Sequence, residues 1–176
     1  MKATLLGAAR DAIEAAVLGR APQPGAKESA PAMVRLGASF VTLRRLDGAL
    51  RGCIGELEAS RPLVESVRVC AVSAALRDPR FPAVTASELG ELHVAISVLT
   101  PPEPARVPTG VELGRHGVII THEGRRGVLL PEVATEQGWD VEAFLAHACR
   151  KAGLPPEAWR DPAAEVSVFE TLKMAE

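Results

Sequence analysis

The sequence predicts an α+β fold, built mainly on antiparallel sheet with helices packed against it. Three observations point there. Two turn dipeptides, Asp47-Gly48 and Glu123-Gly124, sit between apolar-rich runs, which is the signal of a tight hairpin. After each comes a stretch with apolar residues three and four apart, then a proline-rich break, then another strand. Of the 176 residues, 47% are hydrophobic and 24% charged, the balance of a globular chain able to bury a core without disulfides or metal.

The first helix is expected over 4–19. Leu5, Leu6, Ala9, Ile13, Ala16 and Val17 share one face, Thr4 is its expected N-cap and Gly19 its stop. Residues 21–32 hold Pro22, Pro24, Gly25 and Pro31 and read as a linker. Strands at Ser39–Leu46 and Ala49–Leu57 flank the first turn. A helix from about Arg61 to Arg77 follows, with Ser60 as cap, and Asp78-Pro79-Arg80-Phe81-Pro82 breaks it. Thr85 and Glu88 have the spacing of a capping box, and Glu91–Leu99 alternates as a strand. The second half has strands at Gly117–His122 and Arg125–Leu130. A helix then runs from the Asp140 cap to Ala152, Gly153 closes it, and a last strand covers Glu165–Lys173.

This order reads as one unit written twice, over about 36–100 and 114–173. Arg51-Gly52-Cys53-Ile54 aligns with Arg126-Gly127-Val128-Leu129, a period of about 75 residues. The domain reading is an N-terminal helix and linker, 1–32, followed by one domain of two related halves, 33–173.

Charge narrows the function. With 20 basic and 22 acidic residues the net charge is -2, which argues against a nucleic-acid binder. The N-terminal apolar run is interrupted by Arg10, Asp11 and Glu14, so neither a signal peptide nor a membrane span is expected. Cys53, Cys70 and Cys149 have no metal-ligand spacing and fit a reducing cytoplasm. No metal and no cofactor is expected, since no two histidines share ligand spacing and no nucleotide-binding glycine loop is present.

The most informative segment is Leu50-Arg51-Gly52-Cys53-Ile54-Gly55. A two-residue turn at Asp47-Gly48 would set Leu46 against Ala49, Arg44 against Arg51, Thr42 against Cys53 and Phe40 against Gly55. Val41, Leu43, Leu50 and Ile54 then face the core. Phe40, Thr42, Arg44, Arg51 and Cys53 face outward, beside the space left by Gly52 and Gly55. Two close guanidiniums call for an anion, and positive charge near a thiol favours its nucleophilic thiolate form. The candidate ligand-binding residues are therefore Thr42, Arg44, Arg51, Gly52, Gly55, Asp78 and Arg80. The candidate catalytic residues are Cys53 as nucleophile and His116, in the turn Gly114-Arg115-His116-Gly117, as base. A plainer reading stays open: Cys53 as an inert core thiol, Arg80 paired with Asp78, and Phe81 plugging the core.

Seven colinear segments resemble the AMMECR domain family. They are 37–43, Leu50–Gly55, Arg77–Pro82, Ile96–Pro102, Gly114–Gly117, Leu130–Ala134 and Lys151–Pro155, and the resemblance extends in order over roughly 33–173. In bacteria and archaea the family is called AmmeMemoRadiSam system protein A. The resemblance implies an α+β fold with Arg-Gly-Cys-Ile-Gly as its hallmark. It also implies association with a Memo-like protein and a radical S-adenosylmethionine protein, and it supplies no reaction. The chain departs from the family pattern in having Glu56 after the hallmark, where Thr is usual, and no tyrosine in the last strand.

Three functions follow as expectations. The first is an accessory domain binding a small anionic ligand or a partner's loop through the Arg51–Gly55 face. The second is an enzyme working through Cys53. The third is a protein–protein adaptor without chemistry.

Overall fold

The computed structural model describes residues 1–176. In chain order the helices are α1 (Lys2–Leu18), α2 (Pro31–Val34), α3 (Leu63–Leu76), α4 (Pro131–Gln137) and α5 (Val141–Lys151). The strands are β1 (Ala38–Arg44), β2 (Leu50–Gly55), β3 (His93–Leu99), β4 (Glu103–Pro104), β5 (Gly117–His122), β6 (Arg125–Leu129), β7 (Glu165–Phe169) and β8 (Thr171–Ala175). They form two four-stranded sheets, in the orders β2-β1-β3-β8 and β4-β7-β5-β6. The fold is α+β, as the sequence predicts. The chain divides into two compact units, Met1–Leu99 with Leu172–Glu176, and Thr100–Thr171.

In the first unit α1 and α3 pack together, and α3 lies on β1 and β2. Small side chains allow the close approach: Ala9 on α1 and Ala71, Ala74 and Ala75 on α3 join Val41, Leu43, Val94 and Ile96 of the sheet in one core. Helix α1 is thus part of this unit's core and not an appendage. It starts two residues earlier than expected, at Lys2, and Thr4 does not cap it; Gly19 stops it in a left-handed conformation, φ 64°. Ser60 likewise does not cap α3, whose N-cap is Pro62.

The segment read as a linker carries the short α2 and a strap pinned to both helices by Arg68. The Arg68 guanidinium donates to Glu28 at 2.7 and 3.1 Å and to Asp11 at 3.1 Å. Asp11 also accepts from the Gln23 amide at 2.7 Å. Burial pushes the Glu28 carboxyl up, but Arg68 and the Gly25 amide outweigh it and hold it below its ordinary value. Replacing Arg68 with alanine leaves two neighbouring carboxylates with no shared cation. Faster proteolysis after Lys27 is the expected result, with the global unfolding midpoint shifted little by comparison.

In the second unit α5 packs on β5 and β6. Phe144, Leu145, Ala148 and Cys149 meet Val118, Ile120 and Leu129, with Trp159 closing the cluster. Asp140 caps α5 as expected, its carboxylate accepting from the Ala143 amide at 2.8 Å. Glu123 (φ 50°) and Gly124 (φ 72°) make the second two-residue turn, setting His122 against Arg125. Three elements differ from expectation, the first being the short strand β4 at Glu103–Pro104, which pairs with β7. Pro131 starts an unanticipated helix, α4, which Gly138 stops at φ 66°. The single last strand is two, β7 and β8, broken at Glu170 and placed in different sheets.

One device occurs in both units. A Cβ on Gly52 would collide with the Ala74 carbonyl oxygen of α3, and a Cβ on Gly127 with the Ala148 carbonyl oxygen of α5. Each hairpin's second strand presses its backbone against a helix at this glycine.

Candidate functional site

The first hairpin positions the site, and its register corrects the expected one. The turn is not a two-residue Asp47-Gly48 reversal. The Arg45 amide donates to Ala49 at 2.9 Å, the Gly48 amide donates to Arg45 at 2.9 Å, and Gly48 takes φ 84°. Arg44 therefore pairs with Leu50, not Arg51, and Leu46 has no partner at Ala49. Between Leu50 and Gly52 the register shifts, because Leu43 pairs with Gly52. Arg51 is the extra residue of a β-bulge, a feature that turns a side chain out of strict alternation. Past it the register matches expectation again: Thr42 opposes Cys53 and Phe40 opposes Gly55.

The bulge separates the two arginines. Arg51 is 1% exposed and grips Glu88 in the 3-10 turn Ala86–Glu91, Nε to Oε1 at 2.8 Å and Nη2 to Oε2 at 3.1 Å. Its Nη1 has no hydrogen-bond partner. Glu88 also accepts from the Thr85 amide at 2.9 Å, completing the expected capping box. The Arg51 guanidinium, then the Thr85 amide, hold the Glu88 carboxyl down to about 2. A carboxyl lowered on folding contributes stability above its ordinary value of 4.5 that is lost as pH falls toward 2. Acid titration should show this loss in the wild type between those two values. The loss should be smaller once Arg51 and Glu88 are both replaced.

Arg44 is exposed and donates to Gly48 in its own turn at 2.9 Å. Gly52 is buried against α3, and Gly55 lies under the Phe40 ring. Glu56, the departure from the family pattern, is paired with Arg61 at 3.0 Å.

The cation beside Cys53 is Arg80. Asp78 is 4% exposed and its carboxylate takes four donors. Oδ2 accepts from the Cys53 amide at 2.8 Å and Arg80 Nη2 at 2.7 Å, and Oδ1 from Arg80 Nε at 2.9 Å and the Arg80 amide at 3.1 Å. Arg80 Nη2 also donates to the Cys53 carbonyl at 3.3 Å. Strand β2 is at the sheet edge, so Cys53 has a free backbone side, and the Asp78–Arg80 pair occupies it. The Arg80 guanidinium holds the Asp78 carboxyl far below the usual carboxylate range. Asp78 chiefly, and also the nearby Cys53 sulfur, raise the Arg80 pKa. The Arg80 side chain nevertheless remains 54% exposed.

Cys53 is half-buried and its sulfur lies 3.2 Å from the Thr42 hydroxyl. Cys70 and Cys149 are fully buried, and burial raises both thiols. A thiol, a hydroxyl and a half-exposed guanidinium are thus brought together on β1, β2 and the loop after α3. Glu88 was missed as the partner of Arg51; its capping spacing was legible, its reach to a bulged arginine was not.

His116 belongs to the other unit, where its Nδ1 accepts from the Glu112 amide at 3.1 Å. Of the remaining histidines, His147 stacks on Trp139 at 3.8 Å, His122 sits 3.5 Å from Asp161, and His93 is exposed.

Comparison with known proteins identifies relatives whose names state no activity. A Thermococcus gammatolerans protein is 45% identical over 175 residues, covering 94% of this chain and 85% of its own. A Methanopyrus kandleri protein is 49% identical over 139 residues, covering 74% of this chain and 67% of its own. The crystal structure of an uncharacterized Pyrococcus horikoshii protein is similar at TM-score 0.83 and 41% identity, covering 98% of this chain and 89% of that one. Residues 6–174 match the AMMECR1 family, and the chain belongs to it.

Proposed function

We propose that the protein is an accessory binding domain that holds a small anionic group against Cys53, Thr42 and Arg80. The group is carried by a metabolite or by a partner's loop. The observation that carries this reading is the exposed Arg80 guanidinium, fixed beside Cys53 by the buried Asp78 carboxylate. Arg80 Nε and Nη2 are committed to Asp78 and the Cys53 carbonyl, which leaves the Nη1 protons, held in place in advance, to donate to a carboxylate or phosphate oxygen with little loss of freedom on binding. Arg51 and Gly52 support the site from below rather than touch the ligand, and Gly55 makes room for the Phe40 ring rather than for the ligand. Arg44, whose guanidinium donates to the Gly48 carbonyl in its own turn, is not needed to hold the group.

The finer assignment to AmmeMemoRadiSam system protein A, working in the cytoplasm with a Memo-like protein and a radical S-adenosylmethionine protein, rests on the family resemblance. Three free cysteines support a reducing compartment, and no helix is long and apolar enough to cross a membrane.

Thermal unfolding with inorganic phosphate, sulfate or succinate tests the binding reading. A ligand of the native state at a hundredfold excess over its Kd stabilises it by about 2.7 kcal/mol. At least one of the three should raise the midpoint, and Arg80→Gln should abolish the shift. No shift with any of them, or an equal shift in Arg80→Gln, overturns the reading.

The 3.2 Å contact between Thr42 and Cys53 favours a second reading, in which Cys53 is a nucleophile and Thr42 and Arg80 support its thiolate. Turnover lost in Cys53→Ser but retained in Arg44→Gln would separate it from simple binding.

A further inference from the structure

We infer that the cleft around His116 in the second unit binds a small ligand carrying an ammonium group and an adjacent carbonyl or hydroxyl oxygen. This site is separate from the Cys53 cluster and has the opposite charge preference. The cleft measures about 220 Å³, below the about 300–1,000 Å³ of drug-sized pockets, so its ligand is small. It lies where β4 begins, β7 ends and β5 begins, since Glu103 pairs with Val168 and Gly117 with Phe169. Two segments of the family signature, Ile96–Pro102 and Gly114–Gly117, contribute to its lining through Thr100, Pro101 and His116.

The polar groups of this cleft are set in place by the backbone. The Glu112 amide donates to His116 Nδ1 at 3.1 Å, so the neutral ring carries its proton on Nε2. That nitrogen is then a donor with no protein partner. Thr100 Oγ1 accepts from the Glu170 amide at 2.9 Å, while the Thr100 amide donates to the Glu170 carbonyl at 2.9 Å. The Thr100 hydroxyl proton is left to donate. Phe169 forms an apolar wall, and its ring occupies the space a Cβ on Gly117 would need.

Charge then selects the ligand. Arg115 is shared between Glu112 at 3.1 Å and Glu170 at 2.9 Å. Glu103 lines the same cleft and has no cation of its own. Three carboxylates against one guanidinium make the site negative, which disfavours an anion and favours an ammonium at Glu103. The Nε2 proton of His116 and the Thr100 hydroxyl then call for an acceptor oxygen on the same ligand. His116 in this role orients a ligand and abstracts no proton.

Glycinamide, a small ammonium with a carbonyl two atoms away, is the probe. It is titrated into the full chain and followed by NMR at the Glu103, Gly117 and Glu170 amides and the His116 ring. Saturable shifts confined to these positions are expected. Acetamide, with the carbonyl but no charge, should produce none. Glu103→Gln should weaken glycinamide about tenfold, the loss of one charge-assisted hydrogen bond. Glu103 is exposed, so this variant should unfold at the wild-type temperature. Absence of saturable shifts overturns the inference, as does equal response to acetamide or acetate, or unchanged affinity in Glu103→Gln. None of these outcomes touches the anion response tested through Arg80.

Discussion

Replacing Gly52 with alanine is expected to be among the most damaging single-methyl changes in the protein. The added Cβ meets the Ala74 carbonyl oxygen and lies 3.1 Å from the Ala74 carbonyl carbon. Both belong to the backbone of α3, which cannot rotate away as a side chain could. Either α3 lifts from the sheet or β2 bends outward, and both open the core formed by Val41, Leu43, Val67 and Ala71. Overpacking of this kind costs about 3 kcal/mol, at the upper end of the usual range. For a chain of this size that is a fall of about 10 °C in the unfolding midpoint. Gly127→Ala, against the Ala148 carbonyl of α5, should cost a similar amount. Gly7 is the control: it is exposed in α1 with open space where a Cβ would go. Gly7→Ala should stabilise by about 1 kcal/mol through helix propensity. Thermal or urea unfolding of the three variants checks the order.

The second large effect is an asymmetry between Arg51 and Glu88. The Arg51 side chain is 1% exposed and that of Glu88 28%, so the two do not suffer equally when the other is removed. Glu88→Ala strands a buried guanidinium whose Nη1 already lacks a partner. Removing one member of a buried pair costs about 3–5 kcal/mol. Arg51→Met leaves a carboxylate that can turn to water while its stem fills the same space, so its cost should be clearly smaller. The double variant Arg51→Met/Glu88→Ala should recover much of what Glu88→Ala loses. Equal losses in the two single variants would show that Arg51 is hydrated and not sealed by the 3-10 turn.

Much of the fold was legible because its signals are local. Glu123-Gly124, the Asp140 cap, the Thr85–Glu88 box and the Gly19 stop each act within a few residues. The partition of the last strand was not local. Glu165–Lys173 reads as one continuous strand, and only the tertiary arrangement assigns its two halves to different sheets. The first hairpin shows how a site can be half read. Gly48 is left-handed here as a two-residue turn would also require, so it gives no sign that Leu46 joins the loop, and the bulge at Arg51 restores the register. The pair Thr42–Cys53 was therefore foreseeable, while Arg44 and Arg51 were parted by a bulge with no clear mark in sequence. The ion pair of Asp78 with Arg80 is legible in the sequence, two residues apart in a proline-bounded loop. Its additional hold on the Cys53 backbone, which places a cation beside the thiol, depends on a contact 25 residues apart in the chain.

We propose above that Arg80 makes the surface around Cys53 an accessible anion site. The most direct measurement is the iodoacetamide alkylation rate of each cysteine in the native protein, resolved by mass spectrometry. It is made with and without whichever of phosphate, sulfate or succinate stabilises the fold. Cys53 should react while Cys70 and Cys149 stay protected, and the anion should slow Cys53 in the wild type but not in Arg80→Gln. A Cys53 as inert as Cys70, or one whose rate ignores both the anion and Arg80, would contradict the account.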